Sequence, residues 1–211
     1  KGKVLSPEVT VDAKAQTATF GFDKPLAPGR YRLALEYTGR IGTQANGLFA
    51  IDYDTKAGRK RALFTQFENS DARRMIPSWD EPAHKATFTL EATVPTGQMA
   101  VSNMPATQAR DLGNGTTHVR FAPSPKMSTY LLFFSLGDFE RATTQAEGVE
   151  VGVVTQRGAI DQHVAVGRLV GHQVAVVAAQ AGDPGVLRQD DLAGVHAGQH
   201  ARGAGVHRGP V

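Results

Sequence analysis

Short segments of alternating apolar and polar residues, separated by proline and glycine, recur along most of this chain. They are Val9–Asp12, Thr17–Phe22, Arg30–Tyr37, Leu48–Tyr53, Ala86–Val94, Met99–Val101, Thr117–Phe121 and Val149–Thr155. A two-residue period places every second side chain on the same face of a β-strand, and the 3.6-residue period of an amphipathic helix is almost absent. Many strands at this spacing, with turn residues between them, predict an all-β fold, an antiparallel β-sandwich.

Four parts of the pattern carry specific expectations. Val9–Asp12 and Thr17–Phe22 predict a hairpin. Arg30–Tyr37 alternates over its whole length and is the clearest amphipathic strand. The basic stretch Asp54–Arg61 predicts a solvated loop. Ser128–Ser135 is the most apolar run, which predicts a central, buried strand.

Composition sets the broad class of the protein. With 211 residues, 41% of them hydrophobic and 20% charged, the chain is long enough for a real core. A net charge of +3, without a basic run that includes aromatic residues, argues against nucleic acid, and no apolar stretch is long enough to span a membrane. The absence of cysteine excludes disulfides and thiolate metal sites but leaves the compartment undecided, and we favour a soluble, cytoplasmic protein over a periplasmic or secreted one.

The alternation stops at residues 65–82, the most distinctive stretch of the chain. Asn69 or Ser70 is a suitable N-cap for a short helical turn through Arg73. Pro77 cannot continue that helix, so the turn must end before it. The sequence therefore predicts a brief helical turn followed by an extended bend.

Two interpretations of this stretch are open on local grounds. Arg73 or Arg74 is expected to pair with Asp80 or Glu81 once the chain folds back, because an arginine fork matches the two oxygens of a carboxylate. In the first interpretation this pairing forms a purely structural corner around a buried Trp79. In the second, the polar side chains of the stretch form a functional site.

Three motifs occur in a fixed order along the chain. The first comprises Gln66, Glu68, Ala72, Arg73, Arg74, Pro77, Trp79, Asp80, Glu81, Pro82, Ala83, Lys85, Ala86 and Phe88; the second is Ala100–Pro105 and the third is Pro125–Leu131. Together they resemble the signature of the N-terminal domain of zinc aminopeptidases of the aminopeptidase N and puromycin-sensitive type. Three motifs in the right order are far more specific than any single short pattern. The resemblance covers roughly residues 1–162, and we assign residues 1–160 to a saddle-like β domain of this kind.

The resemblance implies how such a domain is used. In that family the β domain docks on a helical catalytic domain, which binds zinc and removes N-terminal residues from peptides. That catalytic domain is absent from this chain, so the chain itself is expected to bind no cofactor, to hold no catalytic residue and to be inactive alone. Its implied partners are the missing catalytic domain and the N-terminus of a peptide substrate, not nucleic acid or a membrane.

The resemblance also assigns roles to individual residues. Glu68 first and Gln66 second match the residues that the N-terminal domain lends to the subsite for the substrate's α-amino group. The residues assigned to holding the loop are Arg73, Arg74, Trp79, Asp80, Glu81 and Pro82. The alternative function is a non-catalytic β-sandwich binding module, like a carbohydrate or adhesion module, which would have no need of this motif.

Both ends of the sequence depart from the family pattern. The chain starts at Lys1 without an initiating methionine, and we interpret it as a fragment whose first strands are missing, which would leave a sheet edge with backbone available for pairing. Residues 163–211 use only nine amino-acid types, all with codons that begin with G or C. We therefore interpret residues 161–211 as a tail translated out of frame from a GC-rich gene. A genuine low-complexity extension is the alternative. Neither is expected to pack, although Val174–Ala179 could form a helix or join a sheet edge.

One apparent metal motif lies in this tail. His196 and His200 are four residues apart, the spacing that places two imidazoles on one face of a helix for zinc. The zinc-peptidase motif needs a glutamate after the first histidine, and Ala197 occupies that position. His207 could complete a three-histidine cluster, but no glutamate follows Glu150. We do not assign a metal site here.

Overall fold

The chain folds almost entirely into β-strands in a computed structural model that describes residues 4–146, 149–159 and 175–179. The strands are β1 (Glu8–Asp12), β2 (Thr17–Gly21), β3 (Gly47–Thr55), β4 (Gly58–Gln66), β5 (Lys85–Ala86), β6 (Glu91–Pro95), β7 (Met99–Ser102), β8 (Ala106–Asp111), β9 (Thr116–Phe121), β10 (Met127–Ser128), β11 (Phe134–Gly137), β12 (Phe139–Ala146), β13 (Val149–Gln156) and β14 (Ala175–Ala179). Short 3₁₀ turns span Ala72–Arg74 and Thr129–Leu131. In the described part of the chain no helix has the length and apolar character needed to span a bilayer.

The strands of the described residues form five sheets. A four-stranded sheet has the order β3-β4-β11-β7, and three-stranded sheets have the orders β6-β9-β8 and β12-β13-β14. Two-stranded sheets are formed by β1 with β2 and by β10 with β5. The strand pairs are all antiparallel, which confirms the predicted all-β, antiparallel fold.

One face of the four-stranded sheet packs against β6 and β9. Leu63 of β4 lies directly opposite Leu136 of β11, so the two side chains share a face. Leu136 belongs to a buried cluster with Val119 and Phe121 of β9, and Leu63 packs against this cluster. The two sheets thus bury their apolar faces against each other, as in a sandwich.

The opposite face of the same sheet packs against β12 and β13. Ala62 and Val101 form a second buried cluster with Phe139 of β12 and Val154 of β13. The ring of Phe64 packs there too, with its centroid 5.9 Å from that of Phe139. Alternate residues of β4 therefore serve two different cores, and both of its faces are covered.

Most predicted strands are present. The hairpin of β1 and β2 is confirmed, with Asp12 opposite Thr17. Leu48–Tyr53 lies within β3, and the predicted segments Met99–Val101, Thr117–Phe121 and Val149–Thr155 lie within β7, β9 and β13. The alternation of these last four segments was a reliable signal because each contributes residues to a buried cluster and has a neighbouring strand on at least one side.

The predicted loop over Asp54–Arg61 is wrong. β3 and β4 pair continuously from Gly47 opposite Gln66 to Thr55 opposite Gly58, so most of this stretch forms a tight hairpin. Gly58 has a φ of +110°, which a glycine adopts without strain. Lys56, Arg59 and Arg61 are nevertheless exposed, whereas Lys60 is half-buried, and Arg61 pairs across the strands with Asp52 at 2.6 Å. This hydrogen bond is the main reason why the pKa of Asp52 is lowered.

The predicted strand Arg30–Tyr37 is also wrong. The segment contains no strand, and its residues are exposed. It makes no backbone hydrogen bond to any other described residue. Alternation shows which side chains share a face, but a strand also requires a hydrogen-bonded neighbour, and the described part of the chain supplies none here.

Two further predicted strands are interrupted. In Ala86–Val94 the backbone of Phe88 exchanges hydrogen bonds with the backbone and hydroxyl of Ser124, outside any regular ladder.

In Ser128–Ser135 a 3₁₀ turn separates β10 from β11, and the Asn103 side chain replaces a neighbouring strand. Its amide donates to the carbonyl of residue 131 at 2.8 Å and accepts from the N–H of residue 133 at 2.7 Å.

The tail contributes one described element. β14 pairs antiparallel with β13, with Val176 opposite Val153. Of the two alternatives for Val174–Ala179, helix or sheet edge, the structure has the sheet edge. The other calls on this region, including His196, His200 and His207, lie outside the described residues.

Leu136→Ala should strongly destabilise the chain. Leu136 is 8% exposed at the centre of the sandwich, and removing a buried leucine side chain costs about 2–5 kcal/mol. Urea unfolding should show this loss as a lower midpoint. Leu112→Ala is the matched control, because Leu112 is 38% exposed in the β8–β9 turn, and it should change the unfolding free energy by less than about 1 kcal/mol. Equal effects of both changes would contradict the described packing.

Asp138 should contribute a pH-dependent part of the stability. The hydrogen bond from Arg157, at 2.8 Å, lowers the pKa of Asp138 against the opposing effect of burial, and Lys60 lowers the pKa further. Because the folded pKa lies below the unfolded one, this contribution is present above about pH 4 and is lost as the pH falls through the folded pKa. The stability gap between the parent chain and Asp138→Asn should therefore shrink on acidification. Arg157→Gln should reproduce most of the effect, and parallel pH curves would refute it.

Candidate functional site

The candidate site lies where β4 ends. Gln66 is the last residue of β4 and is exposed, Phe67 is 2% exposed, and Glu68 is again exposed. Phe67 packs with Ala72 and Leu132 in a third buried cluster. Since neighbouring residues of an extended chain point in opposite directions, the buried phenylalanine directs both polar side chains away from the core. Neither the Gln66 nor the Glu68 side chain has a hydrogen-bond or ion-pair partner among the described residues.

The chain turns sharply after Glu68. The peptide bond between Glu68 and Asn69 is cis, and the N–H of Asp71 donates to the carbonyl of Phe67 at 2.9 Å. The 3₁₀ turn that follows is capped by Asp71 without a side-chain hydrogen bond, so the predicted cap at Asn69 or Ser70 is wrong. The predicted short helical turn is present as this 3₁₀ turn, and it buries Ala72 completely.

A clamp between Arg73 and Asp80 closes the stretch. Oδ2 of Asp80 accepts from the backbone N–H of Arg73 at 2.9 Å and from its Nε at 3.0 Å. Oδ1 of Asp80 accepts from the hydroxyl of Thr129 at 2.7 Å. The Asp80 side chain is only 2% exposed, so these bonds replace the water that a carboxylate otherwise needs. Nη1 of Arg73 also donates to Gln16, which ties the β1–β2 turn to the clamp.

Arg74 does not join this clamp. Its Nε pairs instead with Asp71 at 2.6 Å, on the surface of the same turn. Its side chain also lies against Gly47, where an added Cβ would be 2.7 Å from Cβ of Arg74. Gly47 has a φ of +66° and lies opposite Gln66, so both its conformation and its neighbour require glycine there.

In the bend at residues 79–82, Trp79 and Glu81 do not have the surroundings that the sequence predicted. Trp79 is 75% exposed, so the prediction of a buried tryptophan is wrong. It lines an open groove of about 440 Å³ together with His84, Lys85 and Phe88. Glu81 is exposed and lies 3.8 Å from His84, so it does not pair with an arginine.

Pro82 is tied to the third motif. Its carbonyl accepts from the hydroxyl of Ser128 at 2.6 Å, and that hydroxyl accepts from Nζ of Lys85 at 3.1 Å. Ser128 is 1% exposed and also pairs with Lys85 in the β5–β10 sheet. The third motif therefore binds both the Asp80 side chain, through Thr129, and the Pro82 backbone.

The three sequence motifs thus meet in one place. The second motif contributes Asn103, which holds the backbone of residues 131–133 beside the first motif. Sequence reasoning quoted Asn103, Ser128 and Thr129 within their motifs but gave them no role. A polar side chain that bonds a residue distant in sequence leaves no periodic pattern, so only the place of these three residues in the motifs could have identified them.

The described residues do not form a metal centre. No group of three or more histidine, aspartate and glutamate residues in this part of the chain is arranged to hold a metal ion. Zinc ligation needs three or four such ligands around one point. The arrangement at the end of β4 is suited instead to hydrogen bonding and to pairing with a cation, because it offers on a braced support a carboxylate and an amide that have no partner in the described part of the chain.

Comparison with known proteins places this arrangement in a family. Residues 4–131 match the family described as the peptidase M1 N-terminal domain. Aminopeptidase N of Acetobacter pasteurianus is 44% identical over 155 residues, which are 73% of this chain and 44% of that protein. Aminopeptidase M1-B of Oryza sativa subsp. japonica is 37% identical over 75% of this chain and 18% of its own length. The puromycin-sensitive aminopeptidase of Caenorhabditis elegans is 34% identical, with shares of 74% and 17%.

The match and the geometry agree. The matched range contains all three motifs that meet around Asp80, and the chain spans less than half the length of each of these curated relatives. The chain belongs to the peptidase M1 N-terminal domain family.

Proposed function

We propose that this chain is the part of a zinc metallo-aminopeptidase that anchors the α-amino group of a peptide substrate, with Glu68 as the main anchor and Gln66 as the second. The observation that supports this most is the pair of exposed polar side chains on either side of the buried Phe67. Both are without a partner in the described part of the chain, so both are available to a ligand.

The chemistry of the two side chains fits a peptide N-terminus. An α-ammonium group has three N–H donors and a positive charge, and it is satisfied by carboxylate and carbonyl oxygens. Glu68 offers the charge and Gln66 offers a neutral acceptor. Charge-assisted hydrogen bonds of this kind are about twice as strong as neutral ones. Holding the amine fixes the position of the first peptide bond, which is how removal of only the N-terminal residue would arise.

The clamp gives this anchor a rigid support. Glu68 lies on a turn whose interior is fixed by Phe67 and Ala72, and the next residues are tied to Asp80 by Arg73. A side chain that is positioned before the ligand arrives loses less conformational entropy on binding. We therefore assign Arg73 and Asp80 as positioning residues rather than as residues that contact substrate.

Hydrolysis is assigned to the remainder of the enzyme. The described residues offer no metal cluster, and we assign the zinc to a catalytic domain outside this chain. The relative from Oryza sativa matches this chain over only 18% of its own length, which leaves ample sequence for such a domain. The chain alone is accordingly expected not to hydrolyse peptides and to need that domain as its partner.

A non-catalytic binding module is a second candidate, favoured by Trp79. An indole that is 75% exposed beside an open groove is suited to bind another molecule. This function would depend on Trp79 and not on Glu68. Trp79→Ala and Glu68→Gln therefore separate the two candidates.

Glu68→Gln should weaken recognition of a free amine. We would graft residues 1–160 onto the remainder of Oryza sativa aminopeptidase M1-B in place of its matching part, and measure hydrolysis of an aminoacyl substrate. Loss of one charge-assisted hydrogen bond should lower kcat/KM by roughly 10- to 100-fold. Inhibition by leucinamide should weaken similarly, whereas inhibition by its analogue without the amine should change little. Gln66→Ala should have a smaller effect in the same direction.

Glu81→Gln is the matched control for this test. Glu81 is an exposed carboxylate on the nearby bend, and its substitution removes the same charge. It should leave kcat/KM within about twofold, because screened surface charges contribute little. Equal losses in Glu68→Gln and Glu81→Gln, or equal weakening of both inhibitors, would argue against the anchor.

Asp80→Asn should loosen the support of the anchor. An asparagine offers one acceptor oxygen where Asp80 now accepts three hydrogen bonds, so the partly buried Arg73 loses its charged partner. We expect a loss of about 2–3 kcal/mol in the unfolding free energy of the chain, from the range for hydrogen bonds to charged groups. Asp71→Asn breaks the more exposed pair with Arg74 and should lose less than about 1 kcal/mol. Similar losses of unfolding free energy in both variants would contradict the assignment of Asp80 as the residue that supports the anchor.

A further inference from the structure

The segment Arg30–Ile41 is exposed and its backbone is not paired with any described strand. It has no turn and no bend, and all its residues are exposed. Its backbone makes no hydrogen bond to any other part of the described chain. The residue that follows the segment, Gly42, forms a bridge with Phe49 of β3, and within the segment the Tyr31 hydroxyl donates to the carbonyl of Ala27 at 2.6 Å. It is therefore an unbent stretch of chain whose N–H and C=O groups are available for strand pairing.

One row of side chains on this segment is apolar and faces solvent. Tyr31, Leu33, Leu35 and Tyr37 are 59%, 51%, 39% and 52% exposed. Because these residues alternate along the chain, an extended segment presents them on a single face. A row of large apolar side chains beside unpaired backbone is the combination that favours addition of another strand.

The sequence of this segment is complementary to itself. When it is paired antiparallel with an identical copy about Ala34, Tyr31 lies opposite Tyr37 and Leu33 lies opposite Leu35. On the other face, Arg32 lies opposite Glu36, so the only acidic residue between 30 and 41 meets a basic one. The two-fold axis repeats each of these pairs, as an interface between identical surfaces requires. Aromatic pairs and opposite charges directly across two strands are both stabilising.

We propose that this segment pairs antiparallel with the same segment of a second copy of the chain, with the two-fold axis at Ala34. The bend at Pro28 and Gly29 disfavours an axis closer to the N-terminus, and the pairing of Arg32 with Glu36 favours Ala34 over an axis at Leu35, which would place Glu36 opposite Ala34. Centring on Ala34 pairs Arg30–Thr38 with itself and leaves that bend outside. Moving the axis to Leu33 would place Tyr37 opposite Gly29, within the bend. The dimer is separate from the proposed anchor, since it uses no residue of the Glu68 loop.

Charge exchange tests the partner and the register together. Sedimentation equilibrium of the whole chain should show a monomer–dimer equilibrium. Arg32→Glu places two pairs of like charges across the strands, and it should raise the dimer dissociation constant by roughly tenfold or more. Glu36→Arg should do the same. The double variant Arg32→Glu/Glu36→Arg restores opposite charges in both pairs and should recover dimerisation, which no unrelated partner strand would do.

Single cysteines test the position of the axis. The chain contains no cysteine, so an introduced thiol is unique in each copy. Ala34→Cys should cross-link efficiently with a short bis-maleimide, because directly opposite Cβ atoms lie about 4.5–5.5 Å apart. Thr38→Cys is the control. Its two copies would be about 27 Å apart, eight residues along the strands at about 3.4 Å each, and should not react with each other.

Each outcome decides the proposal. A chain that remains monomeric at all concentrations overturns it, as does a dimer that is unaffected by Arg32→Glu. Efficient cross-linking of Thr38→Cys but not of Ala34→Cys would overturn the register. These substitutions are at exposed positions, so unchanged urea midpoints should show that the fold is intact in each variant.

Discussion

The candidate site depends on the hydrogen bonds that the buried carboxylate of Asp80 accepts. Desolvating a charged group without partners is very unfavourable, so Asp80 stays buried only while Arg73 and Thr129 both bind it. Those partners come from the first and third motifs, and Asn103 of the second motif holds the backbone that follows Thr129. The requirement of one anion therefore brings three distant parts of the chain together and explains why their residue types appear as a set.

The need to keep Asp80 bound also explains why the side chains of Gln66 and Glu68 have no partner among the described residues. The turn after β4 must bury Phe67 and Ala72 under the clamp, so the residues on either side of Phe67 point outward. The other polar groups nearby are engaged: Arg74 by Asp71, and Ser128 by Pro82 and Lys85. Glu68 and Gln66 remain available in the described part of the chain because the surrounding groups are already paired. A stable corner and a binding site, the two interpretations of the sequence, are thus parts of the same arrangement.

The sequence predicted those features that depend on local periodicity and missed those that depend on a partner. The alternation of Leu48–Tyr53 and Thr117–Phe121 identified strands because each has a buried face and a neighbour. The same signal failed for Arg30–Tyr37, which has no neighbouring strand among the described residues. A different signal, the continuous apolar run of Ser128–Ser135, predicted one strand where the Asn103 amide takes the place of a neighbour. Charge and spacing predicted that Arg73 or Arg74 would pair with Asp80 or Glu81. Which partners are chosen, Asp80 by Arg73 and Asp71 by Arg74, depends on a turn geometry that composition does not encode.

The failed predictions of a buried Trp79 and of a strand at Arg30–Tyr37 both concern exposed surfaces, and the two surfaces are suited to different kinds of partner. Trp79 is exposed on a bend that is braced on both sides, by Asp80 and by the carbonyl of Pro82, so its surface offers a rigid side chain and little free backbone. Arg30–Ile41 offers the reverse, a free backbone with a row of apolar side chains. A rigid indole is suited to a preformed surface, as another domain would provide, whereas an exposed, unpaired backbone, which water otherwise satisfies, is suited to pairing with another strand. The two surfaces can therefore be occupied independently.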